Sequence, residues 1–199
     1  MGRLGTRQGG PRAQTTEAVH VTPSRNEAFN QWLAETLPDP EIDKDPAWLS
    51  PQEKQWFEEI FDGNGQLPAH RLAEVIFSRR IQLAYAALDL LKAHAAGDLT
   101  TDLGELKVFS NRDSEYEPTG EVEIHGEQVR TLIPDAAMVT VAAAVQAFVA
   151  DTIRRVWPVC GEHRYGLHPI LTPTGARWHC RPGSHAIPLP GRAGRSAAS

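Results

Sequence analysis

The chain has two cysteines, and each is followed closely by a histidine. Two residues separate Cys160 from His163, four separate Cys180 from His185, and sixteen lie between the pairs. Thiolate and imidazole are the donors that Zn2+ gathers into a closed tetrahedral shell, at roughly 2.0 to 2.3 Å. Two short chelating turns brought together by a hairpin supply such a shell. Cys160, His163, Cys180 and His185 are therefore the expected metal ligands, and structural Zn2+ the expected cofactor. Gly161 is where the backbone is expected to bend around the first sulfur. The second turn passes through Pro182 and Gly183. Two further histidines lie close by. His179 directly precedes Cys180 and faces away from it if both sit on a strand, since strand neighbours alternate faces. His168, followed by Pro169, is able to replace either chosen histidine. The plainer reading of the cysteines is as small core residues or, in an oxidising compartment, as a disulfide.

The surrounding stretch, Trp157 to Gly191, resembles a zinc ribbon, in which two knuckles sit at the ends of short β-hairpins. VCGEH stands as the first knuckle and WHCRPGSH as the second. The likeness covers about 35 of the 199 residues. It departs from the commonest ribbon in its histidines at the second and fourth ligand positions and in the four-residue gap of the second knuckle. The resemblance implies a module over 158–191 whose shape depends on its ion. So short a segment buries too little apolar surface to fold alone, whereas structural zinc supplies roughly 10 to 16 kcal/mol of apparent binding free energy. Metal removal is expected to unfold it.

The rest of the chain has to hold this module. At 199 residues there is room for one medium domain besides it. A hydrophobic content of 41% suffices for a core, and a charged content of 23% is ordinary. The first twenty residues contain no apolar run that would act as a secretory signal, so a cytoplasmic, reducing setting is expected, which favours metal over disulfide. The net charge of −5 is unevenly spread: the ends are basic, +3 over 1–25 and +4 over 158–199, and the middle is acidic.

Residues 1–25, rich in Gly, Arg, Thr and Gln, read as a disordered basic arm, and 192–199 as a disordered tail. Between the arm and the module, 26–157 read as a helical domain with a small β-sheet. Asn26 is placed to cap a short helix carrying Phe29, Trp32, Leu33 and Leu37, which Pro38 ends. The acidic segment PDPEIDKDPAW reads as a loop. Ser50, Pro51 and Glu53 form a helix start, and the stripe Trp56, Phe57, Ile60 and Phe61 follows until Gly63. DGNGQ lacks the glycine and closing glutamate of a calcium loop at the required offsets. Pro68 opens a long helix to about Ala96, with a seam of Phe77, Ile81, Ala84, Leu88, Leu91 and Ala95. His94, in its last turn, suits the helix dipole and needs no catalytic role.

A strand is expected at Leu106 and Val108, then a hairpin whose His125-Gly126 turn sets Val122 opposite Val129 and Glu121 opposite Arg130. Asp135 is placed to cap a second long helix, Ala136 to about Val156, bearing Met138, Val141, Val145 and Phe148. Charges at Asp135, Asp151, Arg154 and Arg155 argue against a membrane span, and antiparallel pairing with the 68–96 helix is the simplest way to bury both seams. The expected fold is thus α+β and mainly helical: two long packed helices, a small antiparallel sheet and a C-terminal zinc ribbon.

No phosphate-cradling glycine loop, nucleophile elbow or paired carboxylates at helical spacing stand out. The leading expectation is accordingly a non-enzymatic interaction or assembly protein, with a partner protein or larger assembly and self-association through the helical seams. Nucleic acid is the second class of partner: Arg164, Arg177, Arg181, Arg192 and Arg195 would meet phosphates while Tyr165 or Trp178 stacks on a base. The third is a zinc-dependent hydrolytic enzyme with three protein ligands, a bound water, and Glu162 or His168 as general base.

Overall fold

The computed structural model describes residues 23–99 and 103–190. The basic arm, except residues 23–25, and the tail at 192–199 lie outside the described residues. Three helices come first: α1 (Arg25–Thr36), α2 (Pro51–Asn64) and α3 (Ala69–Ala95). A sheet of β1 (Phe109–Asn111), β2 (Glu121–Ile124) and β3 (Glu127–Gln128) follows. Then come α4 (Pro134–Phe148) and a second sheet of β4 (His168–Thr172), β5 (Gly175–Cys180) and β6 (His185–Pro188). The class is α+β, with four helices and two small antiparallel three-stranded sheets among the described residues.

Local chemistry explains where the first helices start. Ser24, not Asn26, caps α1: its hydroxyl accepts from the Glu27 N–H, and the Glu27 carboxylate accepts from the Ser24 N–H at 2.8 Å. A Ser followed three residues on by Glu satisfies two orphan N–H groups at once, which asparagine at 26 cannot match. Arg25 thereby becomes the first helical residue and forks onto Asp62 of α2, with both carboxylate oxygens 2.7 Å from Nη2. The Ser50–Glu53 box opens α2 with Pro51 in its first turn. This helix runs through Gly63 and stops at Gly65, whose φ of 72° suits the end of a helix. Together α1, α2 and the start of α3 enclose Phe29, Trp32, Phe57, Leu72 and Ile76. The Trp32 indole N–H donates to the Leu67 carbonyl at 2.8 Å.

A second hydrophobic cluster joins the rest of the molecule. From α3 it takes Ala84, Leu88, Leu91 and Ala95, with Phe77 and Ile81 half-buried beside them. From α4 it takes Met138, Val141, Val145 and Phe148. Pro134 occupies the first turn of α4, so Ile133 is the cap residue and Asp135 lies inside the helix. After Phe148 the chain widens into a π-helical turn, Val149–Ile153, and Arg154 at φ 58° ends it short of Val156.

The relative direction of the long helices differs from the expected antiparallel pair. Leu132, just before α4, clusters with Leu72 and Ile76 near the start of α3. Trp157, just after the π turn, donates its indole N–H to Asp98 (3.3 Å) and lies 5.9 Å from the His94 ring at the end of α3. Both helices therefore run the same way, and the first sheet lies on the connection that carries the chain back. Pro134–Ile153, 20 residues of mean hydropathy 1.7, is long and apolar enough by length and composition to cross a membrane, contrary to the argument from its flanking charges. Here Val141, Ala142, Ala144, Val145 and Val149 are buried in the shared cluster.

In the first sheet His125 and Gly126, at φ 46° and 84°, form the two-residue turn. The Val129 N–H donates to the Val122 carbonyl at 2.8 Å, which sets the hairpin in the register read from the sequence. The cross-strand ion pair is not made: Glu121 accepts from Gln128 at 2.9 Å, and Arg130 approaches Glu117 at 3.4 Å. The strand expected at Leu106 and Val108 begins at Phe109 instead. Leu106 is buried, and its carbonyl accepts from the Lys92 ammonium at 2.9 Å.

Candidate metal centre

The first chelating turn is closed by backbone. The Leu167 N–H donates to the Pro158 carbonyl (2.9 Å), Cys160 N–H to Tyr165 (2.8 Å), and Arg164 N–H back to Cys160 (2.9 Å). Reversal occurs at Arg164, φ 62°, and not at Gly161, beside which a Cβ would meet open space. The second turn joins β5 to β6. Cys180 and His185 sit directly opposite in the antiparallel ladder, with Arg181 to Ser184 as the loop and Ser184 at φ 51°. Gly183 has a different duty from bending. A methyl there would lie 2.6 Å from His185 Nδ1 and 2.7 Å from His163 Nδ1, so only glycine leaves the two imidazoles their places.

All four expected ligands converge. Their donor atoms lie within 4.8 Å of one another, and they form a group able to hold a metal ion. The Cys160 sulfur is 3.5 Å from His163 Nδ1 and 3.5 Å from His185 Nε2; the Cys180 sulfur is 3.7 Å from His163 Nδ1. A tetrahedral centre with nitrogen at about 2.0 Å and sulfur at about 2.3 Å has N···S edges of about 3.5 Å. These three separations match three of the six edges such an ion needs. Neither sulfur is in a disulfide.

The peptide prepares one sulfur for a cation. The His163 backbone N–H, then its ring, and more weakly the Glu162 N–H, draw the Cys160 thiol down to about 6 against the effect of burial. Burial pushes the Cys180 thiol up, with the neighbouring Cys160 sulfur adding to it and the Gly183 N–H opposing. Two sulfurs that resist carrying charge together could do so around a shared divalent ion.

The site is bolted to the helices. Gln146 of α4 donates through Nε2 to the carbonyls of Trp157 (3.0 Å) and Leu167 (2.6 Å), either side of the first turn. Trp178 of β5 stacks edge-on against Trp157 at 5.7 Å, and Cys160, Cys180, Leu167 and Leu189 belong to the same buried cluster as α3 and α4. Sequence reasoning missed Gln146 and the steric role of Gly183. A polar side chain on the apolar α4 was the available signal for the first.

The other candidates lie apart from the four donors. His168 and His179 pair across β4 and β5 and are not in the group. His179 neighbours Cys180 on the strand but is half-buried where Cys180 is fully buried. Glu162 is exposed at the first turn. Tyr165 is 63% exposed, whereas Trp178 is 1% exposed and has no face to offer a base. Arg192 and Arg195 lie outside the described residues. Comparison with protein-family models, with curated proteins and with solved structures finds no match for this chain.

Proposed function

We propose that residues 158–190 form a zinc ribbon in which Cys160, His163, Cys180 and His185 hold one structural Zn2+, and that the protein is a non-enzymatic interaction or assembly protein. The observation that supports this most is the donor spacing: three sulfur–nitrogen separations of 3.5, 3.5 and 3.7 Å match edges of a tetrahedral shell, in which four protein donors would leave no position for a substrate. The two long helices then serve as the scaffold that presents the ribbon to a partner protein. One zinc per chain is expected from metal analysis of purified protein. Cobalt substitution should give the absorption of a four-coordinate centre with two thiolates, and a spectrum showing exchangeable water would overturn the structural role. Cys160→Ser should abolish association with whatever protein co-purifies; unchanged association would move recognition to the helices.

Exposed Tyr165 beside Arg164, with Arg181 on the second turn, supports a second reading, in which the ribbon face meets single-stranded nucleic acid. A filter-binding titration checks it: affinity has to fall as salt rises and as Tyr165 is replaced by alanine.

A further inference from the structure

A groove of about 600 Å3 runs between α3, α4 and the ribbon, away from the metal centre. Its walls are apolar: Leu83, Ala87 and Leu90 of α3, Met138 of α4, and Ala176 and Leu189 from the ribbon. That volume falls within the roughly 300 to 1,000 Å3 of small-molecule sites, which pair apolar walls with a few polar groups. The polar groups here are Arg79, Gln82 and Asp135, of which Arg79 and Asp135 are charged. Because α3 and α4 run in the same direction, both stand near the starts of their lining segments, at one end of the groove. Leu90, eleven residues beyond Arg79 along α3, lies about 16 Å away at the other end.

These two charged side chains do not neutralise each other. Neither makes an ion pair or hydrogen bond among the described residues, although Arg79 Nε is shielded from water with no acceptor. A buried N–H without an acceptor is costly, and so is a rare condition in a finished fold. A ligand bringing one negative and one positive group to that end, and an apolar body for the rest, would satisfy all of it.

We propose that the groove binds a free α-amino acid with a large apolar side chain. Its carboxylate would lie on the Arg79 guanidinium, its ammonium on the Asp135 carboxylate, and its side chain along Leu83, Ala87 and Leu90. An α-amino acid carries both charges at one end, which matches two charged groups at the same end of the groove. A fatty acid would leave Asp135 facing an anion, and a peptide would carry its terminal charges to opposite ends. The site stands independently of the partner assigned to the ribbon.

The test is calorimetric titration of the full chain, supplied with zinc, using L-tryptophan, N-acetyl-tryptophan and tryptophanamide as probes. Tryptophan should bind, and each analogue, having lost one charge, should bind at least tenfold more weakly. Arg79→Gln should weaken tryptophan binding at least tenfold while leaving the melting temperature unchanged, since the guanidinium has no protein partner to lose. Ala86→Trp, at an exposed position on the groove wall, should block binding without altering either charge. No heat with tryptophan at millimolar concentration, equal binding of N-acetyl-tryptophan, or wild-type affinity in Arg79→Gln would each overturn the proposal.

Discussion

The two ends of the described chain are held by different means. At the N-terminal end α1, α2 and the start of α3 bury Phe29, Trp32, Phe57 and Leu72 against one another, and both first helices open on serine–glutamate boxes. At the C-terminal end three short strands bury Trp178 and Cys180 against α4, and the turn preceding β4 and the β5–β6 turn converge on four donor atoms. Apolar area gives the first region its stability with no added component. The second region is arranged around four donor atoms that could hold a metal ion. With the metal proposed for that site, one chain would join a part held by apolar burial alone to a part whose order also draws on an ion.

Removing the metal should separate the two regions most sharply. With zinc assigned to the site, chelation withdraws roughly 10 to 16 kcal/mol of apparent binding free energy. Amide protection should be lost over the two chelating turns and the second sheet, and kept over α1 and α2, as read by hydrogen exchange. Cys180→Ser should reproduce the effect. Loss of protection at both ends together would show that the cluster shared by α3, α4 and the second sheet couples them into one unit. The reciprocal change is Phe57→Ala, which empties a fully buried ring site and should cost about 3 to 5 kcal/mol. Zinc stoichiometry measured below its unfolding transition should stay at one per chain.

Smaller effects probe what surrounds the donors. Gly183→Ala places a methyl against both imidazoles and should weaken metal binding by about 10- to 100-fold, the usual scale for disturbing the groups that orient metal ligands. Competition with a chromophoric chelator measures this. An unchanged affinity would mean that the second turn yields easily and that Gly183 does not position the rings.

The contrast between the regions also governs how much could be read without coordinates. Metal donors are few residue types at short spacing, so Cys160, His163, Cys180 and His185 stood out, and the Ser50–Pro51–Glu53 start is equally local. What escaped notice depended on comparison between distant segments. Periodicity along α3 and α4 marks which face is buried and says nothing of direction, so the parallel sense of the two helices had no signature. Trp178 looked available for stacking because nothing local shows that Trp157 and α4 cover it. Gly161 looked like the bend because glycine permits one, yet Arg164 takes the left-handed conformation. At the start of α1 the stronger of two nearby caps won: Ser24 has Glu27 three residues on, and Asn26 has no such partner.

The smallest expected effects belong to the caps, and they sharpen the comparison because they should touch only the N-terminal region. Ser50→Ala should cost about 1 kcal/mol, the usual loss on removing a serine cap. Glu53 then offers a dependence on pH. Burial works to raise its carboxyl, but the hydrogen bond from Lys44, the Ser50 N–H and the Lys44 charge outweigh it and hold the group below its ordinary value of 4.5. A carboxyl with a lowered folded-state value contributes stability above its unfolded value and loses that contribution as pH falls through the folded one. The stability deficit of Glu53→Gln relative to the parent chain should therefore be full at neutral pH and shrink as pH drops below 4.5. Zinc-stripped protein, unfolded by urea and followed by signals from α2, keeps thiol protonation out of the comparison. A deficit that stays constant through that window would show that Glu53 acts by its shape and neutral hydrogen bonds, with its charge and Lys44 adding nothing.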